Sequence, residues 1–321
     1  MVGVWRWFYF LSMVLKNPQL SIDDKVFIWG SRTYIMGILN VTPDSFSGDG
    51  LLSSGQDEES ANKLKITDIV ESTIIKARSF ISAGADILDI GGESTRPGSQ
   101  QVGVEEELSK VIPIIEAISA ELDVVISIDT YKAAVAEAAL KAGAHIINDV
   151  WGLNADENMA GIAAKYNAPV ILMHNRSSWA HAEIKIKLGG RYIGMEYYNL
   201  IEDIKTELSL SISTAVGAGI PGKHIIIDPG IGFGKTVEQN FELVNRLDEF
   251  RSLGYPVLFG PSRKSFIGYT LDLPTDQRVE GTAAAIAIGI DRGADIIRVH
   301  DVEYMARVAR ISDAVVRQTV Q

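Results

Sequence analysis

Eight short apolar, β-branched runs, each ending in a polar or ionisable residue, constrain this chain more than anything else in it. They cover residues 34–39, 86–90, 124–128, 145–148, 170–173, 224–227, 257–259 and 295–299. Continuous apolar runs of this length are what strands buried on both faces look like. Helical patterns lie between them, over 68–82, 104–120, 131–141, 194–216, 238–248, 279–291 and 303–319. Three helices are expected to stop alike, at Gly84, Gly143 and Gly293 just before a strand. Glycine there supplies the positive φ of a C-cap. Strand alternating with helix eight times predicts an α/β fold, the (β/α)8 TIM barrel of parallel strands with its active site at the carboxyl-end mouth. An open doubly wound sheet is the alternative, but the count is eight and no dinucleotide-type glycine fingerprint follows the first run.

A length of 321 residues suits a single barrel domain, placed at 31–321. Residues 1–30 read as a loosely ordered extension. Its apolar stretch, 5–15, is shorter than the ~20 residues of a spanning helix. No membrane span is therefore expected, and although the length fits a signal-peptide apolar region, no small-x-small cleavage signal follows it. A net charge of −11 is a poor match for nucleic acid. With no cysteine, disulfides, thiolate nucleophiles and Cys-based metal sites are excluded, and the chain suits a reducing, cytoplasmic location.

Polar insertions at 47–67, 93–103 and 177–191 all begin at a strand's carboxyl end, where barrel enzymes build their sites. There they read as mobile lids. The same ends deliver Asn40 and Asp44, then Asp89 with Glu93, Thr95, Arg96 and Pro97, then Asp129, Asn148 with Asp149, and His174. The last three strands add Asp228 with Phe233 and Lys235, then Ser262, Arg263 and Lys264, then Arg298 and His300. One such residue alone usually caps a helix or closes a turn. Eight strand ends furnished this way make a ligand pocket. Asp129, Asn148 and Asp228 are acceptors that suit a heterocycle edge rich in N–H groups. Arg96, Arg263, Lys264, Arg298 and His300 are donors that suit phosphate or carboxylate oxygens. Together they point to a heterocycle bearing an anionic group. Asn40 and Asp44 are oxygen ligands for a hard cation such as Mg²⁺, although Asn-x-Thr-Pro-Asp also makes a plain turn. Lys235 follows a glycine-rich turn that fails the phosphate-loop spacing and reads as a helix start.

Residues 35–46 (IMGILNVTPDSF), 84–98 (GADILDIGGESTRPG), 127–130 (SIDT), 147–150 (INDV), 227–235 (IDPGIGFGK), 260–265 (GPSRKS) and 297–301 (IRVHD) jointly resemble the dihydropteroate synthases. The resemblance implies condensation of (7,8-dihydropterin-6-yl)methyl diphosphate with 4-aminobenzoate to give 7,8-dihydropteroate and diphosphate, a step of folate biosynthesis. It further implies Mg²⁺, a homodimer and inhibition by sulfonamides. By the same resemblance Asn40 holds the metal, and Thr95, Arg96, Asp129, Asn148, Asp228, Lys264, Arg298 and His300 bind the pterin diphosphate. Pro97, Phe233 and Ser262 belong to the 4-aminobenzoate pocket, and Asp129, Arg96, Lys264, Arg298 and His300 carry the chemistry. The chain departs from the family pattern in having Ser47-Gly48-Asp49-Gly50 for the usual SDGG and Ile231 where many members have Phe. A pterin-binding module of a corrinoid-dependent methyltransferase needs similar ring acceptors, but not the Arg298–His300 pair or the STRPG loop. Removal of Arg298 is expected to impair turnover and leave fold stability near that of the unaltered chain.

Overall fold

In the computed structural model the described residues are 15–41, 58–94, 101–177, 182–185, 187–192 and 196–318, with the backbone alone for 58–67. The described chain opens on an antiparallel hairpin, β1 (Gln19–Ile22) and β2 (Lys25–Ile28). There follow β3 (Tyr34–Asn40), β4 (Ile87–Gly91), β5 (Val125–Asp129), β6 (Ile146–Asp149) and β7 (Val170–Met173). A second hairpin, β8 (Ala182–Lys185) and β9 (Gly189–Tyr192), precedes β10 (Ile225–Asp228), β11 (Leu258–Phe259) and β12 (Ile296–Val299). Eight of these strands pair in parallel in the order β10-β7-β6-β5-β4-β3-β12-β11. A parallel bridge from Ile227 to Val257 joins the two ends of that order. The sheet is therefore a closed barrel, and all eight expected strands are present within a residue or two of their expected limits.

Side chains alternate across each strand, so position decides destination. One set points inward: Met36, Ile87, Val125, Ile146, Ile171, Ile226, Leu258 and Ile296 form a dry layer in one apolar cluster. Their neighbours, such as Leu88, Ile126, Ile147, Leu172, Ile227 and Ile297, point outward and pack under the helices in the larger core. Full burial of one such side chain stabilises by roughly 1.5–3 kcal/mol, so the two cores together dominate the fold's stability. Two residues above the dry layer, on the same inward face, stand Asp89, Ser127, Asn148, Asp228 and Arg298. The apolar floor thus gives way to a polar storey in a single strand period.

Helices cover the outside, and the glycine stops hold: φ is +105° at Gly84, +113° at Gly143 and +89° at Gly293. Several boundaries differ from the expected ones. The first helix, Glu58–Ser82, takes in the end of the 47–67 insertion. The helix expected over 194–216 starts only at Leu200, where Asn199 caps it by accepting from Glu202 N at 3.3 Å. Helices Met159–Lys165 and Ser265–Leu271, seven residues each, are too short to show a 3.6-residue period. The 177–191 insertion contains β8 and β9 rather than being loop throughout.

The expectation of a loosely ordered 1–30 does not hold for residues 15–30. Leu15, Leu20, Ile22, Phe27 and Trp29 share one apolar cluster with the dry layer. The hairpin lies across the amino-terminal end of the barrel and closes it. Phe27, Trp29 and Tyr34 pack there with ring centroids 4.9–5.9 Å apart, Phe27 on Trp29 stacked and Trp29 edge-on to Tyr34. The Tyr34 hydroxyl oxygen accepts from Ile28 N at 2.7 Å, and buried Asp295 accepts from Gly30 N (3.2 Å) and Val257 N (3.0 Å), locking hairpin to barrel. The apolar stretch 5–14 lies outside the described residues.

Candidate active site

Strand register gathers the polar residues before any side chain is considered. Asn40 pairs with Gly91, Gly91 with Asp129, and Asp129 with Asn148, so three carboxyl or amide groups from adjacent strands face one rim. Gly91 leaves a notch among them. A Cβ placed at Gly91 would sit 3.6 Å from Asp129 Oδ2 and 3.8 Å from Asn40 Oδ1.

Arg298 reaches into this group from β12. Its Nε donates to Asp89 Oδ2 at 2.6 Å and its Nη2 to Asp129 Oδ2 at 2.5 Å. Asp89 Oδ2 also accepts from Asn148 Nδ2 at 3.1 Å. Since the Asn148 amide nitrogen is committed, its Oδ1 is left as an acceptor. Asp89 is fully buried and its Oδ1 has no partner. From sequence Asp89 was placed at a strand end without a role. Its inward phase, two residues after Ile87, is the signal that identifies it as the residue orienting Arg298 and Asn148.

Burial pushes the Asp129 carboxyl up to about 7 against the pull of Arg298, and Asp89 and Glu107 add to the rise. Glu107 and Glu93 are bridged by Lys132, whose Nζ is 2.5 Å from Glu107 Oε2, and Tyr131 donates to Glu93 Oε1 at 3.0 Å. This cluster fixes the foot of the segment that leads to Thr95, Arg96 and Pro97. Those three residues and Asp44 lie outside the described residues.

Across the mouth, Asp228 is buried. Burial pushes its carboxyl up to about 6 while Gly230 N–H, Lys264, Lys235 and Arg298 draw it down. Its Oδ1 accepts from Gly230 N at 2.7 Å. Lys264 stretches past Gly232, where a Cβ would meet its Cδ at 2.8 Å, and sets Nζ 3.8 Å from the centre of the Phe233 ring. Gly232 has φ +81°, so glycine there satisfies both backbone and space. Phe233 itself packs with Val150, Met173 and Tyr192.

Ser262, expected in the amine pocket, is buried with Oγ 3.0 Å from His300 Nδ1 and accepts from His300 N at 3.1 Å. With Oγ donating to Nδ1, the ring's Nε2 carries the proton and offers a donor to an anion. Arg263, counted among the donors of this face, is held in a two-point pair with Asp301, Nε–Oδ2 2.9 Å and Nη2–Oδ1 2.5 Å. Its guanidinium serves the loop rather than the mouth. Asp149 faces outward and closes a turn by accepting from Trp151 N and Leu153 N, both at 2.8 Å.

Lys235 corrects the sequence reading most sharply. The helix begins at Val237, with Thr236 and Gln239 forming a capping box, and Lys235 is not part of it. Its buried Nζ donates to Gly230 O (2.8 Å) and Phe233 O (3.0 Å) and lies 3.1 Å from His174 Nδ1. Burial drives Lys235 down to about 7 and His174 down to about 4.

Acceptors from five strands, with Arg298 from β12 and Lys264 and His300 from the loops beside it, thus stand together at the carboxyl end of the barrel. The model of the family described as pterin binding enzyme matches residues 36–300. The chain belongs to the pterin-binding enzyme family, among the dihydropteroate synthases. It is 49% identical to the dihydropteroate synthase of Clostridium beijerinckii over 93% of this chain and 100% of that one. Identity to the Bacillus subtilis dihydropteroate synthase is 47%, covering 89% and 90% of the two chains. Among solved structures, a dihydropteroate synthase from Clostridium difficile in the presence of pteroic acid superposes with TM-score 0.78 at 45% identity, covering 92% and 100%. The Xanthomonas albilineans dihydropteroate synthase with 4-aminobenzoic acid gives 0.80 at 36% identity, covering 95% and 100%. No helix among the described residues is long and apolar enough to cross a membrane.

Proposed function

We infer that this chain is a transferase of folate biosynthesis that joins (7,8-dihydropterin-6-yl)methyl diphosphate to 4-aminobenzoate, releasing diphosphate and 7,8-dihydropteroate. The observation that carries the reading is the Arg298 bridge between Asp89 and Asp129, with Asn148 and Asp228 on the same storey. A pterin ring offers N–H donors along one edge, and Asp228 and Asn148 Oδ1 are acceptors facing a common space. Lys264 supplies a donor for the ring's carbonyl oxygen. Arg298 and His300 supply donors at the rim, where a diphosphate on the methylene would lie.

The C–O bond to the methylene breaks first, and its electron pair leaves with the diphosphate. The carbon left behind shares its positive charge with the ring, beside the Asp129 carboxylate. The arylamine lone pair then forms the C–N bond, and the nitrogen loses a proton to water. Arg298 and His300 lower the barrier by meeting charge that grows on the leaving group. Phe233 and the Lys264 stem offer a flat apolar wall for the aryl ring, and the family resemblance assigns Thr95, Arg96 and Pro97 to the same substrates.

The reading extends to Mg²⁺. Asn40 Oδ1 is a neutral hard-oxygen ligand beside the Gly91 notch, which suits an ion that takes most of its ligands from substrate phosphates and water. When bound, the ion supplies Lewis-acid stabilisation of the leaving diphosphate. It also extends to a homodimer. Tyr304, Ile311 and Val315 form one exposed stripe on helix Val302–Val316, beside exposed Ile288 on the neighbouring helix Val279–Asp291. Sulfonamides, which mimic the amine, would occupy its place against Phe233.

The test is diphosphate release from the purified chain. It should require the pterin diphosphate, 4-aminobenzoate and Mg²⁺ together. Release that ignores 4-aminobenzoate would sink the reading.

A further inference from the structure

Beside the pterin storey, among the loops that follow β7 and β10, lies a buried lysine that the mechanism above does not use. Lys235 comes from the loop after β10, and its ammonium is surrounded by loop backbone. Two of its donors hold the carbonyls of Gly230 and Phe233, and the third direction faces His174 Nδ1 on the loop after β7. The two loops touch backbone to backbone: a Cβ at Gly230 would fall 1.8 Å from His174 O, and one at Gly234 would fall 2.6 Å from the Arg176 carbonyl carbon. Asn240 grips the same segment from the helix side, accepting from Gly232 N at 2.6 Å and donating to Lys235 O at 3.3 Å. Two of the groups that Lys235 holds lead to residues of the proposed substrate sites. Gly230 N is the donor to Asp228, and Phe233 carries the ring under Lys264.

We propose that Lys235 is a positioning residue for both substrates: by tying the Gly230 and Phe233 carbonyls to His174, it sets the pterin-gripping Asp228 and the aryl wall Phe233 in one rigid loop. This rests on the proposed activity and goes beyond it, because Lys235 itself touches neither substrate. The site keeps a lysine in a place where burial, helped by Lys264 and Arg176, drives its proton affinity down. A loop needing only to be filled would be served by a leucine or methionine at no desolvation cost. The His174 ring, pushed toward its neutral form by burial and by Lys235, leaves Nδ1 available to accept from the ammonium. Farther out, Glu207 and Arg176 pair with each other at the back of His174 and hold the β7 loop to helix Leu200–Gly217.

The test compares Lys235→Met, Lys235→Ala and Lys235→Arg with the unaltered enzyme. In Met and Ala the KM for 4-aminobenzoate and the Kd for a pterin, read by calorimetry, should each rise at least tenfold, with kcat falling less than either. The Arg variant, which keeps donors and charge, should recover most of that loss. Thermal midpoints should fall modestly in Met and Ala, because the Gly230 and Phe233 carbonyls lose their donor, while the native fold is kept. Three results would overturn the proposal: both substrate affinities within twofold of the unaltered enzyme in Met and Ala, activity lost only in proportion to the unfolded fraction, or no Lys235 variant reaching the native state. Lack of turnover or pterin binding in the unaltered protein would instead defeat the parent reading.

Discussion

Arg298 donates to Asp89 and Asp129 at once, so its removal strips the counter-charge from two carboxylates that have little water around them. The sequence-based expectation of unchanged stability in its absence is therefore revised. Breaking such a buried pair costs on the order of 3–5 kcal/mol when the remaining charge cannot escape. Asp129 can escape in part by taking a proton, because its carboxyl already sits at about 7. Arg298→Met should raise that value further, which makes the unfolded chain, with an ordinary carboxylate, increasingly favoured as pH climbs. The stability deficit of R298M against the unaltered protein, from urea unfolding, should thus be larger at pH 8 than at pH 6. Turnover should fall by about 10²-fold or more, as when one donor to a developing anion is lost. Asp228 gives a second pH signature. Burial lifts it to about 6, so its acceptor form is present above that value and is lost below it. Pterin affinity by calorimetry should weaken as pH falls through 6. Asp228→Asn should bind at least tenfold more weakly and lose this limb of the profile.

At the scale of elements, the hairpin β1–β2 is a structural part of the barrel. Leu20 is 1% exposed and packs on the dry layer. Leu20→Ala should cost about 2–5 kcal/mol by urea unfolding while leaving the KM for both substrates unchanged, since the mouth is at the opposite end. Equal KM with lower stability separates the two ends of the barrel; a raised KM would mean they are coupled. This hairpin was illegible in the sequence because its turn is Asp23-Asp24, without the glycine that marks most two-residue turns, and because β1 and β2 are only four residues each. The barrel strands were legible for the opposite reason. Parallel strands are apolar on both faces, and a polar residue at each carboxyl end punctuates them. Asp89 and Lys235 show where reading stopped. A list of strand ends does not say which acceptor another residue will lean on, nor that a lysine two places before a helix turns inward.

For the whole molecule, a gathering of acceptors and cations was legible in the sequence, and the closed sheet is what brings positions 40, 129, 228 and 298 to one rim. The proposed dimer adds a test at the same scale. Ile311 and Val315 are 70% and 75% exposed on one helix face. The paired substitution Ile311→Glu with Val315→Glu should shift sedimentation from two copies to one without changing pterin affinity; an unchanged sedimentation profile places the partner surface elsewhere.

A vessel with a stopper in its base has a single doorway. Because Leu20, Ile22 and Phe27 pack under the dry layer at the lower end, Asp228 and Asn148 can be reached only from the carboxyl-end rim, where Phe233 and Lys264 also stand. An aryl substrate seated against Phe233 and Lys264 would lie between the pterin subsite and solvent, so binding in sequence, with the pterin diphosphate first, is the expected outcome. Initial-rate measurements should show this directly, with an unreactive aryl-carboxylate analogue inhibiting uncompetitively against the pterin diphosphate, since it would find its berth only once the lower one is filled.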